Sequence, residues 1–488
     1  MDAPTEAKLT DVQLTGAALD PVFARLPAVF HTKMPAERVG DTPRLVHANA
    51  AAASLIDMDP ALFRDPAFPQ IFSGHRPFPG GEPLAMVYSG HKFGVWAGQL
   101  GDGRALLIAQ LRNRKGELWD VQLKGAGRTP YSRFGDGRAV MRSTIREYLA
   151  SEAMAALGVP TSRALCIIAT GEKVQRERPE PGAVLTRLAQ SHIRFGHFEH
   201  FHHRGQAEQV RLLADHVIEN YVPAFAGDYA GWYGEVVART ARLMAQWQAV
   251  GFAHGVMNTD NMSILGLTLD YGPYGFMEAY DPQLICNHSD ETGRYAFDNQ
   301  PAIAHWNLRA LALALSSLIP TEALLENLAS YEQIFVETYR GLMRAKFGLG
   351  RDARDGDDAL MGRLLTLMVQ TRADYTLTFR GLSRLDEAWF ALFGAGRGEA
   401  EVWARDYQAR MRDGGAAPAA MDQVNPKYVL RNWVAETAIR AVEDRDDAGP
   451  LDRIFAMLQA PFDEQPGNEE FAAPPPPALC GLEVSCSS

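Results

Sequence analysis

Hydrophobic and polar positions alternate with the period of strands in the first part of the chain and with that of helices after Gln206. Three β-prone runs, FGVWAGQL, RALLIAQLRN and LWDVQLKGAG, are separated by the turn signals GDG and RKGE, which predicts an antiparallel meander. Two later runs, ALCIIATG and GAVLTRLAQ, predict strands on either side of a charged turn.

Helical periodicity first appears in AVMRSTIREYLASEAMAALG, which ends at Gly158 ahead of Pro160. Four further helical patterns follow: AEQVRLLADHVIENYV, YGEVVARTARLMAQWQAVG, NLRALALALSSLI and SYEQIFVETYRGLMRAKFG. LGRDARDGDDA is expected to be a solvated link into a C-terminal helical region, and FDEQPGNEEFAAPPPPA a Pro-rich tether before the tail. The pattern predicts a small β-rich lobe followed by a larger helical lobe.

Composition narrows the class of protein. A chain of 488 residues, 47% of them hydrophobic, can bury a large core, and its net charge of -11 disfavours nucleic acid and anionic membranes as partners. The acidic start resembles neither a signal nor a transit peptide, and LRALALALSSLIP is too short to span a bilayer. Four cysteines do not make a disulfide framework, so a reducing cytoplasm is the expected location.

The stretch HGVMNTDNMSILGLTLDYG has the order of a kinase catalytic loop running into its magnesium-binding triplet. Asn261 offers a carbonyl oxygen and Asp270 a carboxylate, which are hard ligands suited to Mg²⁺. Val256, however, stands where such a loop carries its catalytic Asp. The pattern therefore predicts a nucleotide site that lacks the usual base.

Upstream residues complete the kinase order. Gly98, Gly101 and Gly103 lie in a predicted hairpin turn where backbone N–H groups can approach a phosphate, although glycines there are usually only turn residues. Lys124 ends a strand and Glu147 lies in the next helix, a pair that orients an ammonium toward phosphates. Taken alone, Lys124 would be interpreted as a surface lysine. The glycines, Lys124, Glu147, Asn261 and Asp270 nevertheless occur in the kinase order, and this order favours a nucleotide site.

Long motifs also resemble the selenoprotein O family: YSGHKFGVWAGQLGDGRA, VQLKGAGRTPYSRFGDGRAV, CNHSDETGRYAFDNQP, NPKYVLRNW and the terminal SCSS, together with the loop above. The resemblance runs from about residue 40 to the last residue. It implies an α+β, two-lobed protein-kinase-like fold that transfers AMP from ATP to protein hydroxyls and binds ATP in reverse. Cys486 stands where some members carry selenocysteine.

This resemblance, combined with the helical pattern, gives expected boundaries. Residues 1–60 would be an N-terminal extension, 61–195 a β-rich kinase-like N-lobe, 196–348 a helical C-lobe, and 349–488 a helical C-terminal extension with the tether and the cysteine tail.

In a nucleotide bound in reverse, the α-phosphate rather than the γ-phosphate faces the incoming hydroxyl. A catalytic Asp at the position of Val256 would then be in the wrong place, so Val256 is compatible with catalysis. The resemblance implies that Asp260 acts on that hydroxyl, with an Asx cap as the alternative role. It also implies that Arg187 and Arg194 join Lys124 around the buried phosphates. Further implied nucleotide contacts are Gly101, Gly103, Arg104, Asp136 and Gly137; for Arg104 and Asp136 a solvated turn is the alternative.

Five histidines in SHIRFGHFEHFHH raise the question of a metal site: His192, His197, His200, His202 and His203. No Cys or paired carboxylate accompanies them at a recognised spacing. A solvated segment packed with aromatic rings is the expected structure.

The resemblance further implies that Cys286 and Cys486 can form a regulatory disulfide. The alternatives are a packed thiol at Cys286 and a free surface thiol at Cys486, with Cys480 as a competing partner and Cys166 in the core.

The expected activity is a protein adenylyltransferase, and uridylyl transfer is left open. ATP is the co-substrate, Mg²⁺ or Mn²⁺ the metal, and protein Ser, Thr or Tyr hydroxyls the acceptors, with a monomeric enzyme expected. A conventional phosphotransferase and a non-catalytic nucleotide-binding scaffold are the two alternatives.

Overall fold

A computed structural model describes residues 14–350 and 353–482, and the chain divides into two compact units. The first unit contains residues 14–148, 162–232 and 263–265, and the second contains 149–161, 233–262 and the described part of 266–488.

The strands of the described chain are β1 (Ala18–Leu19), β2 (His31–Lys33), β3 (Arg44–Ala48), β4 (Leu84–Met86), β5 (Ser89–Lys92), β6 (Val95–Gln99), β7 (Ala105–Arg112), β8 (Leu118–Lys124), β9 (Ala139–Val140), β10 (Arg163–Gln175), β11 (Pro179–Ala189), β12 (Phe252–Ala253) and β13 (Gly275–Phe276). The helices are α1 (Ala50–Leu55), α2 (Ala67–Phe72), α3 (Met141–Ala156), α4 (Phe195–His202), α5 (Ala207–Tyr221), α6 (Tyr229–Val250), α7 (Gln300–Ala314), α8 (Thr321–Lys346), α9 (Asp357–Thr371), α10 (Tyr375–Gly381), α11 (Glu387–Ala391), α12 (Arg397–Arg412), α13 (Pro418–Asp422), α14 (Asn432–Arg445), α15 (Gly449–Leu458) and α16 (Glu469–Ala472).

An antiparallel sheet forms the centre of the first unit. Its strands run in the order β2-β4-β7-β8-β11-β10-β3, with β1 paired to β7 and β9 paired to β11. Leu106 and Ile108, two residues apart on β7, share a buried cluster with Phe68 and Phe72 of α2. This face of the sheet therefore packs on helices, and the long β10–β11 hairpin confirms the two strands predicted around the charged turn.

The predicted three-stranded meander is wrong in its first strand. β7 and β8 pair as expected, but β6 pairs with β5 in a separate two-stranded sheet. Phe93 and Gly94 connect β5 to β6 with φ of 50° and 79°, and positive φ at both central residues is the requirement of a type I′ hairpin turn. Gly98, Gly101 and Gly103 consequently do not lie at the turn of a hairpin, because β6 and β7 are not paired.

The second unit is mainly helical. All four helical patterns predicted after Gln206 are present, as α5 to α8, although α5 belongs to the first unit. The core of the C-terminal region joins α9, α10 and α12, and the indole of Trp403 donates to Leu360 O at 2.9 Å. The chain is thus a mixed α/β protein with a sheet-rich N-terminal region and a helical C-terminal region, as the sequence predicts.

The link expected to be solvated and the expected Pro-rich tether each contain a packed residue. Asp357, in the predicted link, is 2% exposed, and it accepts from Arg344 at 2.6 Å and from Arg410 at 2.7 Å. In the predicted tether, Phe471 stacks on Trp433 with ring centroids 5.9 Å apart. The polar composition of the two segments did not predict that a charged and an aromatic side chain would be buried there. No helix in the described chain combines the length and apolar character needed to cross a bilayer.

Candidate active site

A buried cluster of opposite charges lies at the end of β8 in the first unit. Lys124 Nζ bonds Glu147 Oε2, and Arg187 Nη1 donates to Glu147 Oε1 at 3.1 Å. Gln122, which is opposite Arg187 in the β8–β11 register, accepts from the same guanidinium. One carboxylate thus holds two cations in place, and their charge exceeds its own by one unit.

The sheet explains this convergence. Lys124, Gln122 and Arg187 lie on adjacent antiparallel strands, and Glu147 comes from α3, which follows β9 directly. Glu147 and Arg187 are 3% and 2% exposed, so their interactions are formed in a region with little water. Charge-assisted hydrogen bonds of this kind are shorter and stronger than neutral ones.

Glycines in the turn after β6 allow its backbone to lie very close to neighbouring residues. Gly101 has φ of 126°, and a Cβ there would lie 2.6 Å from Tyr131 Cγ and 2.9 Å from Met86 O. A Cβ at Gly103 would lie 3.0 Å from Tyr131 O. Asp102 is buried between them, and its carboxylate accepts from Met86 N at 3.0 Å. Only glycine fits at residue 101 without displacing this turn.

Residues 135–138, which repeat the sequence GDGR of residues 101–104, have a comparable constraint. Gly137 has φ of 73°, and its Cβ would lie 2.2 Å from the carbonyl of Gly127. Asp136 accepts from Arg176 at 2.7 Å. Burial raises the pKa of Asp136, but Arg176 and Arg138 together outweigh it, so the pKa lies below its usual value. Arg104 is exposed.

Arg194 caps the start of α4 and is 2% exposed. Its backbone bridges to Ser263, and its guanidinium lies over the Tyr88 ring at 5.0 Å from the centroid. Burial lowers the pKa of His192, and the charges of Arg187 and Arg194 lower it further. Both guanidinium groups therefore act on one buried imidazole.

In the second unit, Asp260 and Asn261 belong to a single 3₁₀ turn, Thr259–Asn261. The Asn261 amide donates from Nδ2 to Val256 O at 3.0 Å, and its carbonyl oxygen is a group of the type that Mg²⁺ binds. Asp270 is half-buried and has φ of 57°, a left-handed conformation that Asp tolerates better than most residues. These donors suit a hard divalent cation.

Amide side chains that the sequence analysis did not single out hold this loop. Gln300 is the first residue of α7; its Oε1 accepts from His254 N at 2.9 Å and its Nε2 donates to Phe252 O at 2.9 Å. Asn307 donates to Met257 O at 2.9 Å, and Asn287 donates to Gly255 O at 3.0 Å. The motif CNHSDETGRYAFDNQP contains Asn287 and Gln300, so the signal was present without an assigned role.

Gly255 lies where the loop meets the segment after the Asp270 triplet. Its φ is 77°, and a Cβ would lie 2.5 Å from Pro273 O and 2.8 Å from Cys286 Sγ. Cys286 Sγ also contacts Ala253 O at 3.5 Å. The thiol of Cys286 is therefore next to the backbone that leads into Val256.

The histidine-rich segment differs from the expected solvated structure. It forms α4, and His192, His197 and His200 are 1%, 0% and 4% exposed. The expected aromatic packing is present, since His197 contacts the rings of Phe23 and Tyr88. Burial lowers the pKa of His200 to about 4. These imidazoles are neutral parts of a core rather than a solvated surface.

The remaining cysteines occupy different environments. Cys166 is fully buried on β10, where burial raises the pKa of its thiol to about 12, and Cys480 is exposed. The core position expected for Cys166 is confirmed. Cys486 lies outside the described residues, so its pairing with Cys286 stays a prediction.

Within the first unit the structure brings together Lys124, Glu147 and Arg187, and it links Gly101 and Gly103 to one glycine-rich turn. Within the second unit it brings together Asp260 and Asn261 beside Val256.

This chain is similar to one protein family and to proteins of several organisms that share one name. The family model described as protein adenylyltransferase SelO matches residues 13–459. The protein nucleotidyltransferase YdiU of Bordetella avium is 51% identical over 490 residues, covering 98% of this chain and 99% of its own length. YdiU of Myxococcus xanthus is 50% identical over 483 residues (96% and 98%), and YdiU of Stutzerimonas stutzeri is 49% identical over 491 residues (97% and 99%).

Proposed function

This chain belongs to the protein adenylyltransferase SelO family, and we propose that it transfers AMP from ATP to Ser, Thr or Tyr hydroxyls of other proteins with release of pyrophosphate. It is a protein nucleotidyltransferase, as its family and its relatives' names state. The main support for AMP transfer is the buried cluster of Lys124, Glu147 and Arg187. The second support is Val256, which stands where a kinase has its catalytic base.

We propose a kinase-like arrangement for the chain, with an N-lobe at 61–195, a C-lobe at 196–348 and a C-terminal extension at 349–488. The antiparallel sheet ending in Lys124, followed by α3 with Glu147, supports the N-lobe assignment. The loop with Asp260 and Asn261, followed by Asp270, supports the C-lobe assignment.

The proposed nucleotide lies with its γ-phosphate toward the guanidinium groups. Arg187 and Lys124 are both held by Glu147 in a region with little water, so the two cations are preorganised to bind an anion. Arg194, fixed over Tyr88, supplies a further guanidinium. In this orientation the leaving pyrophosphate is stabilised by preorganised donors, which is the largest contribution in most such reactions.

Backbone groups and flanking side chains complete the proposed nucleotide contacts. At Gly101 and Gly103 no Cβ stands between the backbone of the glycine-rich turn and a phosphate, although the N–H of Gly103 itself donates to Gly101 O at 2.7 Å. Gly137 holds the second turn close to Gly127, and Asp136 and Arg104 are the polar side chains beside these turns.

We propose that Asn261 and Asp270 hold a divalent cation, Mg²⁺ or Mn²⁺, which would neutralise phosphate charge in the transition state. Asn261 presents a carbonyl oxygen and Asp270 a carboxylate, and both fit such a cation. Asp260, next to Asn261, orients the incoming hydroxyl and accepts its proton. Val256 then needs no acid–base role.

The same proposal includes a redox control. Cys286 contacts the backbone at Ala253 and lies close to Gly255, so a disulfide from Cys286 to Cys486 would restrain the loop that carries Asp260. The two cysteines are 200 positions apart (486 minus 286), which makes the bond a long-range tie rather than a local staple.

Transfer of the α-phosphate of ATP to protein tests this function. Retention of the γ-phosphate on protein would instead favour a phosphotransferase, and transfer of neither would favour a scaffold.

A further inference from the structure

Three metal-binding side chains of the first unit meet where the β5–β6 hairpin contacts α4. They are His91 of β5, Glu199 of α4 and His203, the residue that caps the C-terminal end of α4. One donor atom of each lies within 4.8 Å of the others. From this grouping we infer that His91, Glu199 and His203 form a binding site for a divalent transition metal, with Zn²⁺ as the best match.

The carboxylate of Glu199 is the strongest sign of a cation-binding site. Glu199 is 1% exposed, and its Oε1 lies 2.6 Å from His91 Nδ1. Its second oxygen, Oε2, is buried and has no hydrogen-bond partner among the residues that the structure describes. Leaving such an oxygen buried and unpaired is costly, whereas a metal ion at this point would compensate its charge.

Trp96 of β6 orders the two imidazoles. Its ring centroid lies 3.8 Å from that of His203 and 5.1 Å from that of His91. The two imidazole centroids are 5.9 Å apart. Because neighbouring groups that fix ligand orientation raise metal affinity, Trp96 acts as a positioning residue for the site.

The donor set selects a different metal from the one proposed for Asn261 and Asp270. Two imidazole nitrogens and one carboxylate oxygen favour Zn²⁺, Co²⁺ or Ni²⁺, whereas Mg²⁺ and Ca²⁺ prefer oxygen donors alone. Three protein ligands leave room for water as the fourth ligand of a tetrahedral ion, and His203 is exposed on that side.

Metal binding requires a small rearrangement, in which His91 Nδ1 and Glu199 Oε1, now 2.6 Å apart, separate slightly and His203 moves closer. Around a tetrahedral Zn²⁺ with bonds of ~2.0–2.1 Å, donors stand roughly 3.3 Å apart, which is less than the present limit of 4.8 Å. His203 is exposed and follows the last helical residue, so its side chain can rotate inward. The proton shared by His91 and Glu199 would be displaced to solvent, since metal-bound ligands are deprotonated.

A metal here would join the β5–β6 hairpin to α4. The hairpin leads directly from β6 into the turn at Gly101 and Gly103, so the ion would limit movement of that turn. The nearby guanidinium of Arg204 does not oppose this, because it donates to His200 and to Gln99 rather than to Glu199.

Titration of the full chain with Co²⁺ tests the inference. The titration is done in excess Mg²⁺, which keeps oxygen-donor sites occupied, and d–d absorption in the visible range reports Co²⁺ bound to nitrogen and oxygen. We expect one Co²⁺ per chain, displaced by Zn²⁺, without a thiolate-to-metal charge-transfer band. Zn²⁺ should also raise the Tm of the wild type.

His203→Gln is the decisive variant because its exposed side chain is not needed for the fold. It should weaken Co²⁺ binding by more than ~100-fold, since even loss of a residue that only orients a ligand costs 10–100-fold. It should also abolish the Zn²⁺-dependent rise in Tm, with its circular dichroism spectrum unchanged.

The matched control is His202→Gln, the adjacent histidine on α4, which is not part of the cluster. It should keep wild-type Co²⁺ affinity, while Trp96→Leu should lose affinity by ~10–100-fold. Wild-type protein that binds no Co²⁺ in excess Mg²⁺, a thiolate charge-transfer band, or equal loss of affinity in His202→Gln and His203→Gln would overturn the site.

Discussion

Asp270 combines a charge with an unusual backbone conformation, and a substitution can separate the two. Asn tolerates the left-handed φ of 57°, so Asp270→Asn keeps the turn while removing the carboxylate. We expect transfer to fall by at least about 10²-fold, because loss of a metal ligand removes several kcal/mol of transition-state stabilisation. Rate measurements at saturating ATP provide the check.

Asp355→Asn is the control for Asp270→Asn, since it removes the same charge from an exposed residue. It should leave the rate unchanged. A folded Asp270→Asn protein with near-normal turnover would show that the proposed metal ligand is wrong.

Lys346 gives a prediction about stability and pH. It is 5% exposed, its Nζ lies 4.5 Å from the Phe379 ring centroid, and burial lowers its pKa from 10.5 to about 7. Between these two values the unfolded chain binds one more proton than the folded chain, so the free energy of unfolding rises with pH. The slope should approach ~1.4 kcal/mol per pH unit within this window.

Lys346→Met should remove that slope and raise the free energy of unfolding at neutral and lower pH. Lys173→Met, at an exposed site of the first unit, is the matched control and should leave the pH dependence unchanged. Denaturant titrations of the three proteins between pH 6 and about 10 measure the effect. If the free energy of unfolding depended on pH in the same way in wild type and Lys346→Met, the lowered pKa of Lys346 would be disproved.

At the scale of elements, α7 contacts the backbone of residues 252 and 254 through its first turn. The sequence pattern predicts a helix from Asn307, but the helix begins at Gln300, and this additional stretch supplies the amide that holds both His254 N and Phe252 O. Periodicity finds the apolar face of a helix and not the polar residue at its end.

Gln300→Leu should therefore impair transfer and reduce stability. It leaves two buried backbone groups without their partner, at a cost of ~1–3 kcal/mol for each group. We expect a fall in kcat that exceeds the change in the affinity for ATP, because the phosphate-binding cations do not depend on this amide. Gln333→Leu, exposed on α8, should match the wild type in both respects. Unchanged kcat in Gln300→Leu would contradict the positioning role.

The β5–β6 hairpin shows the limit of strand prediction from sequence. Its alternation and turn residues are visible in HKFGVWAGQ, yet the pattern does not say which neighbour a strand pairs with. The pairing depends on the type I′ turn at Phe93 and Gly94, and Phe is not a residue that favours positive φ. The His91, Glu199 and His203 cluster depends on that same pairing, which is why the histidine spacing alone gave no metal site.

At the scale of the whole molecule, the order of strands before helices could be predicted from the sequence. The sequence also predicts that Lys124 pairs with Glu147 and that Asp260 and Asn261 share one loop, because each pair belongs to one strand–helix unit or one loop. Packing of Asp357 and Phe471 could not be predicted, since their partners Arg344, Arg410 and Trp433 are distant in sequence.

Redox control is a prediction about the whole chain because Cys286 and Cys486 are far apart in sequence. Reductant should raise transfer activity of air-oxidised wild type, and Cys486→Ser should make activity insensitive to reductant. Cys480→Ser is the matched control and should keep the response. Peptide mapping that finds no link between Cys286 and Cys486 in oxidised protein would exclude this mechanism.

The most direct measurement of the central claim uses ATP labelled at either the α- or the γ-phosphate. The protein is incubated with an acceptor protein mixture, Mg²⁺ and one label at a time, with Asp270→Asn as the inactive reference. We expect α-label to become attached to protein hydroxyls while γ-label is released in pyrophosphate. Attachment of γ-label without α-label would contradict it.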